Sequence, residues 1–288
     1  MIEDLKRVWG SQPSALSRLI LINVFVFLFI SVLHVLLTLA GGKGVYQVIL
    51  SYLRLSPDVG VFISRPWTLI TYFFLHEGFF HILFNLLFFF WFGRIVLDFL
   101  GSDRVIHLYL LGGVAAGLFF MIAYNHVPYY AEDLQITRLQ GSSGSVYAVV
   151  AGAATLAPNY EFRLFLIGSV KIKYIAIFCL VLSFFRIVGT NAGGELAHLG
   201  GGLMGYLYIS QLQKGNDWGK PIAWILSLFN PKPNKPKPRH KKPKSKNSGS
   251  KEADIDKILD KISKSGYGSL SAQEKDLLFR ESSKGKKN

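Results

Sequence analysis

The sequence predicts an all-α membrane protein: a bundle of six transmembrane helices followed by a cytoplasmic helical hairpin. Three observations carry that expectation. Half of the 288 residues are hydrophobic, and they lie in uninterrupted blocks. The first block, Ser17 to Ala40, carries a single charge, Arg18 at its start, and its only other ionisable group is His34. The base is gathered at the other end, where nineteen of the 32 Lys and Arg lie from Lys214 onward.

At a rise of about 1.5 Å per residue, roughly 20 residues cross a ~30 Å hydrocarbon layer. Ser17 to Ala40 is long enough to do so. Glu3 and Asp4 precede it and no small-x-small site follows, so it reads as a retained helix and not a cleaved signal. Five further spans are expected, at about Phe79 to Leu100, Val105 to Tyr124, Ser143 to Ala157, Tyr174 to Val188 and Leu196 to Leu212. The fourth and fifth are short, so they require burial inside the bundle. Between the first two spans, Gly41 to Glu77 carries its own apolar pieces (Val45 to Leu55, Val59 to Ser64, Pro66 to Leu75) and is expected on or in the outer leaflet.

Six spans place both termini on one side, and loop charge chooses which. Lys6, Arg7, Arg18, Arg94, Arg104, Arg163, Lys171 and Lys173 share the side of the termini, eight against Lys43, Arg54, Arg65, Arg138 and Arg186 opposite. The positive-inside rule then puts both ends in the cytoplasm of a multi-pass protein. The expected organisation is a cytoplasmic segment 1–16, a six-helix domain 17–212, an interfacial segment and linker 213–251, and a hairpin 252–283. Trp218 to Phe229 suits the inner interface. Pro231 to Lys251 is a Pro/Lys linker, extended and solvated. In the hairpin, Ile255, Ile258, Leu259 and Ile262 share a face, Gly266 and Gly268 break the helix, and Ser271-Ala-Gln-Glu274 reads as a capping box. So small a unit needs a partner, which the residues do not identify. The lysine-rich tail suits anionic lipid, at about 1 kcal/mol per residue near the surface. It has few aromatics to stack on bases, which argues against nucleic acid.

The chemistry lies in polar groups within apolar spans, where an ionisable side chain costs roughly 2.5–3.5 kcal/mol at mid-bilayer. His81 and Asn85 are four apart and share a helix face. They are either interhelical hydrogen-bond glue or donors aimed into a cavity. His76 and His81 are five apart, off one face, which rejects the zinc-protease pattern; no metal or cofactor is expected. The one cysteine, Cys179, excludes a disulfide within the chain. Gly141-Ser142-Ser143-Gly144-Ser145-Val146-Tyr147 opens the fourth span, and Ala197-His198-Leu199-Gly200-Gly201-Gly202-Leu203-Met204-Gly205 lies in the sixth. Gly201 and Gly205 make a face that another backbone can approach. If these two helices nest, Ser143 and His198 come to similar depth. A serine hydroxyl is a weak nucleophile until a base takes its proton, and acyl transfer needs donors for the oxyanion.

Four pieces together resemble the rhomboid family of intramembrane serine proteases. They are His81-x-x-x-Asn85, Gly141-Ser142-Ser143-Gly144, Tyr147, and Ala197-His198-x-x-Gly201-x-x-x-Gly205. Pro66-Trp67-Thr68-Leu69-Ile70-Thr71-Tyr72 and Phe74-Leu75-His76 also fit the approach to the second span. The resemblance covers about residues 15 to 212. It implies a Ser–His dyad, with Ser143 as nucleophile and His198 as general base. Tyr147 would stack on the base. His81, Asn85 and the backbone around Ser142 and Ser143 would form the oxyanion hole. Gly141, Gly144, Gly201 and Gly205 would provide the packing. Glu195, an ionisable residue three before His198, could orient it, but the family needs no carboxylate there and it is left out of the site. The Trp-Arg pair of some bacterial members is missing from the first outer loop. The hairpin is similar to a small domain appended to some rhomboids of the Bacteroidetes group, which implies a bacterial inner membrane.

The expected activity is cleavage of single-span membrane proteins near the outer face. The rival expectations are a catalytically inactive rhomboid-like protein that binds or escorts membrane clients, and a transporter. A transporter is weakened by the lack of a second set of buried charges and of an inverted repeat.

Overall fold

A computed structural model describes residues 14–164, 168–229, 249–265 and 267–284 of the chain. Most of the expected N-terminal segment (1–13) and most of the Pro/Lys linker (230–248) lie outside the described residues. The chain divides into two compact units, Met1–Asn230 and Pro231–Asn288.

In the first unit, α1 (Ala15–Leu39) is followed by three short helices, α2 (Lys43–Ser51), α3 (Val59–Ser64) and α4 (Thr68–Thr71), and a 3-10 turn, Tyr72–Phe74. Next come α5 (Phe79–Leu100), α6 (Ser102–His126) and a 3-10 turn at Pro128–Tyr130. Helix α7 (Ser143–Leu156) leads to strands β1 (Glu161–Leu164) and β2 (Gly168–Lys171). Helices α8 (Ile172–Arg186), α9 (Ala192–Gln213) and α10 (Lys220–Phe229) complete the unit. Among the described residues, three helices, α1, α5 and α6, are long and apolar enough to cross a membrane. Their outward residues remain apolar, as at Phe25, Phe29, Phe80 and Phe84. An apolar exterior of this kind is what lipid solvates.

The all-α expectation needs one correction. Between α7 and α8 the chain forms an antiparallel hairpin, with Glu161 opposite Lys171 and Arg163 opposite Ser169. Phe162 packs its ring on Phe92, with centroids 5.2 Å apart. Glu161-Phe-Arg-Leu alternates polar and apolar residues, a strand signal too short to stand out beside the flanking apolar blocks.

Helix α7 is the centre of the bundle, with α6, α9 and α5 around it. Its residues are small because two neighbours touch its backbone. A Cβ at Gly112 of α6 would strike Ala148, and one at Gly205 of α9 would strike the Ala148 carbonyl. Helix α1 is fixed by a polar link: Asn23, fully buried, donates to the Leu19 carbonyl at 2.8 Å and to the Tyr109 hydroxyl at 2.9 Å. Tyr109 in turn donates to the Phe73 carbonyl at 3.0 Å. Asn23 is thus satisfied within a helix whose exposed residues are mostly apolar.

The segment before α5 forms a collar. Asp58 caps α3 by accepting from the Val61 N–H at 2.8 Å. That bond and the Gln135 amide hold the Asp58 carboxyl below the usual carboxylate range. Trp67 Nε1 donates to the Tyr52 carbonyl at 2.8 Å, and Arg65 lies over the Tyr52 ring. Leu55 pairs with Leu139 as an isolated antiparallel bridge, which leads the chain into Gly141.

The second unit holds α11 (Gly249–Ser265), a 3-10 turn at Tyr267–Ser269, and α12 (Ala272–Lys284). Helix α11 begins three residues before the expected boundary at 252. Among the described residues of this unit, Ile258 on α11 and Leu270 just before α12 are the buried apolar ones. The capping box forms: Glu274 accepts from the Ser271 N–H at 2.7 Å, and the Ser271 hydroxyl accepts from the Glu274 N–H at 3.3 Å. Lys261 on α11 donates to Glu274 at 3.0 Å and ties the two helices together.

Candidate active site

Ser143 is the first residue of α7, so its backbone N–H belongs to the first turn, whose donors have no intrahelical acceptor. The approach to it is set by Gly141, whose φ is +126°, a conformation that side chains rarely adopt. The Gly141 N–H donates to the Tyr72 carbonyl at 3.0 Å. A Cβ at Gly141 would stand 3.0 Å from Cε1 and 3.1 Å from Nε2 of His81. The loop and the imidazole are therefore close neighbours, and a side chain at Gly141 would be strained by its φ and would also press on His81.

Helix α9 brings His198. A Cβ at Gly201 would overlap the Gly144 carbonyl, and the Ala197 carbonyl lies 3.3 Å from where a Gly144 Cβ would be. Backbone meets backbone at the level of Ser143. The His198 ring lies flat on Tyr147, with centroids 4.0 Å apart and planes 6° apart. Its Nδ1 is 3.0 Å from the Ser183 hydroxyl and 3.1 Å from Glu195 Oε2. An ionised carboxylate only accepts, so Nδ1 is the nitrogen that donates here, and in the neutral imidazole the lone pair lies on Nε2.

Ser143, His198, Tyr147, His81 and Asn85 line one cavity of about 1050 Å³. Asn85 gives one amide proton to the His81 carbonyl at 2.8 Å, which leaves its second N–H for the cavity. Among the described residues, Ser143 Oγ and His198 share no hydrogen bond. Such bonds are commonly long before substrate binds. The cavity brings together a serine hydroxyl, an imidazole held at its Nδ1 side, and N–H groups from Asn85 and the α7 N-terminus. That is the donor and acceptor set of acyl transfer. Among the described residues, no group of three or more His, Cys, Asp or Glu could hold a metal ion.

Ser142 is expected in the oxyanion hole through its backbone. Ser142 is fully buried and its hydroxyl is engaged by His76 Nε2 at 2.9 Å, so its side chain is outside the cavity lining. Any part it takes in binding an oxyanion falls to its backbone. Glu195, which the sequence leaves outside the expected site, lines the cavity and touches His198. The only sequence signal for it was an ionisable residue in an apolar span, three positions from a histidine on one helical face. His76 also belongs to the site's support, through Ser142.

Residues 64–214 match the family model described as Rhomboid domain. Residues 245–284 match a second model, Family of unknown function (DUF6576). No curated protein matches the chain.

Proposed function

The chain belongs to the rhomboid family, and from that premise we propose that it is an intramembrane serine endopeptidase. It crosses the membrane six times, with both termini in the cytoplasm, and cleaves single-span membrane proteins near the outer face. The observation that carries the reading is the shared cavity of Ser143 and His198, with the imidazole stacked on Tyr147 and bonded at Nδ1.

The reaction runs in two halves. The Ser143 hydroxyl attacks the scissile carbonyl carbon while Nε2 of His198 takes its proton. The carbonyl electron pair moves to oxygen, where Asn85, His81 and the first-turn N–H groups of α7 receive the charge. On collapse the C–N bond breaks, the imidazolium protonates the leaving amine, and an acyl-serine remains. Water then attacks that ester, with His198 again as base, and releases the acid. The substrate must be extended at the bond, because a helix hides its carbonyls. Small residues that let a membrane helix unwind are therefore preferred.

The test is reconstitution into vesicles with a single-span substrate carrying small residues near one membrane face, together with covalent labelling by a fluorophosphonate. Cleavage and labelling at Ser143 are expected. A folded protein that neither cleaves nor labels would instead be a rhomboid-like binder of membrane clients. Asn85→Ala removes one oxyanion donor and is expected to lower kcat about 10²- to 10³-fold with little change in KM. Steady-state kinetics on the same substrate checks this, and an unchanged kcat removes Asn85 from the oxyanion hole.

A further inference from the structure

We infer that Glu195 is a positioning residue that extends the Ser143–His198 pair into a three-residue relay. This inference rests on the protease reading above. Glu195 is 2 % exposed, on a helix packed within the apolar bundle. A carboxylate placed there is costly unless it is paired. Its two oxygens have separate partners. Oε2 accepts from His198 Nδ1 at 3.1 Å, and Oε1 meets Arg186 Nε at 3.3 Å.

The geometry is that of an orienting carboxylate. Glu195 and His198 are three apart on α9, so their side chains lie on one face a turn apart. The imidazole is clamped on its plane by Tyr147 and at its Nδ1 edge by Glu195 and Ser183. Only Nε2 is left to face the cavity. Arg186 comes from the end of α8, and its side chain is 59 % exposed, so it neutralises the carboxylate from the open side. Ser183 does not replace this role. Its hydroxyl can also accept from Nδ1, but it carries no charge, and it has a second partner in the Tyr147 hydroxyl at 3.4 Å. When His198 takes the serine proton, the positive charge it gains faces an anion already in place. A helix-start role alone would need neither the Nδ1 contact nor the arginine.

The experiment uses the full chain in vesicles. Glu195→Gln keeps the shape and an acceptor but removes the charge. It is expected to lower kcat and the rate of fluorophosphonate labelling at Ser143 about 10- to 100-fold, with KM and the unfolding temperature nearly unchanged. A purely structural glutamate would move the unfolding temperature and leave kcat of the folded fraction intact, which overturns the inference. A second measurement needs no variant at this position. The ¹⁵N imidazole signals that vanish in His198→Ala are expected to report a single Nδ1–H tautomer in the wild-type protein. An Nε2–H tautomer would overturn the inference even if Glu195→Gln fails to fold. Loss of activity in Ser143→Ala with full kcat in Glu195→Gln removes the relay and leaves the protease reading standing. Full activity in Ser143→Ala removes the protease reading itself.

Discussion

Cleavage of a single-span substrate is expected to fall by at least about 10³-fold in Ser143→Ala and by a similar factor in His198→Ala. In the proposed mechanism the two residues act as one unit, since the hydroxyl is reactive only while the imidazole takes its proton. Removing both should therefore cost little more than removing either, and a double variant far slower than both singles would contradict a shared step. Stability separates chemistry from folding. Ser143 Oγ has no hydrogen bond among the described residues, so Ser143→Ala should leave the unfolding temperature nearly unchanged. His198→Ala opens the stack with Tyr147 and frees Glu195, so it should lose some stability as well as activity. Fluorophosphonate labelling of Ser143 should disappear in His198→Ala even where the protein is folded. Retention of full cleavage by either single variant would sink the assignment.

The parts of this site that were legible in the sequence are those fixed by local spacing. His81 and Asn85 had to share a face, being four apart on one helix. Gly201 and Gly205 had to form a bare stripe, which could only be filled by another backbone. The parts that were not legible depend on long-range pairing that leaves no periodic trace. Nothing in Leu55 or Leu139 announces that they pair, yet that bridge and the Gly141–Tyr72 hydrogen bond set the turn into Ser143. The β1–β2 hairpin was hidden by its length. Glu195 is the instructive case. Its spacing from His198 was visible, but whether it faced His198, lipid or water depended on where α8 would put Arg186 and Ser183. The contact between the Ser142 hydroxyl and His76, 66 residues away, was likewise invisible in local spacing.

Gly201→Ala is expected to cost both activity and stability, because the added Cβ would overlap the Gly144 carbonyl. The obstacle is backbone in the first turn of α7, so no rotamer change relieves it, and α7 and α9 must separate. Overpacking of this kind typically costs about 1–3 kcal/mol, which lowers an unfolding temperature by roughly 2–4 °C per kcal/mol in a domain of this size. Catalysis should suffer more, since a displacement of about 1 Å between reacting groups costs on the order of 10²-fold in rate. Gly205→Ala supplies the comparison. Its Cβ would strike the Ala148 carbonyl one turn further along the same interface, so its loss of stability should be similar. Its loss of rate should be smaller, because Ala148 lies a turn beyond Gly144 from the nucleophile. Leu203→Ala, on the same helix but 51 % exposed, should change neither quantity much. Thermal unfolding and cleavage rates of the three variants decide the matter. If Gly201→Ala and Gly205→Ala lose rate only in proportion to stability, the glycine stripe serves packing alone. If Gly201→Ala loses rate far out of proportion, the close approach of the two helices is itself what carries His198 to Ser143.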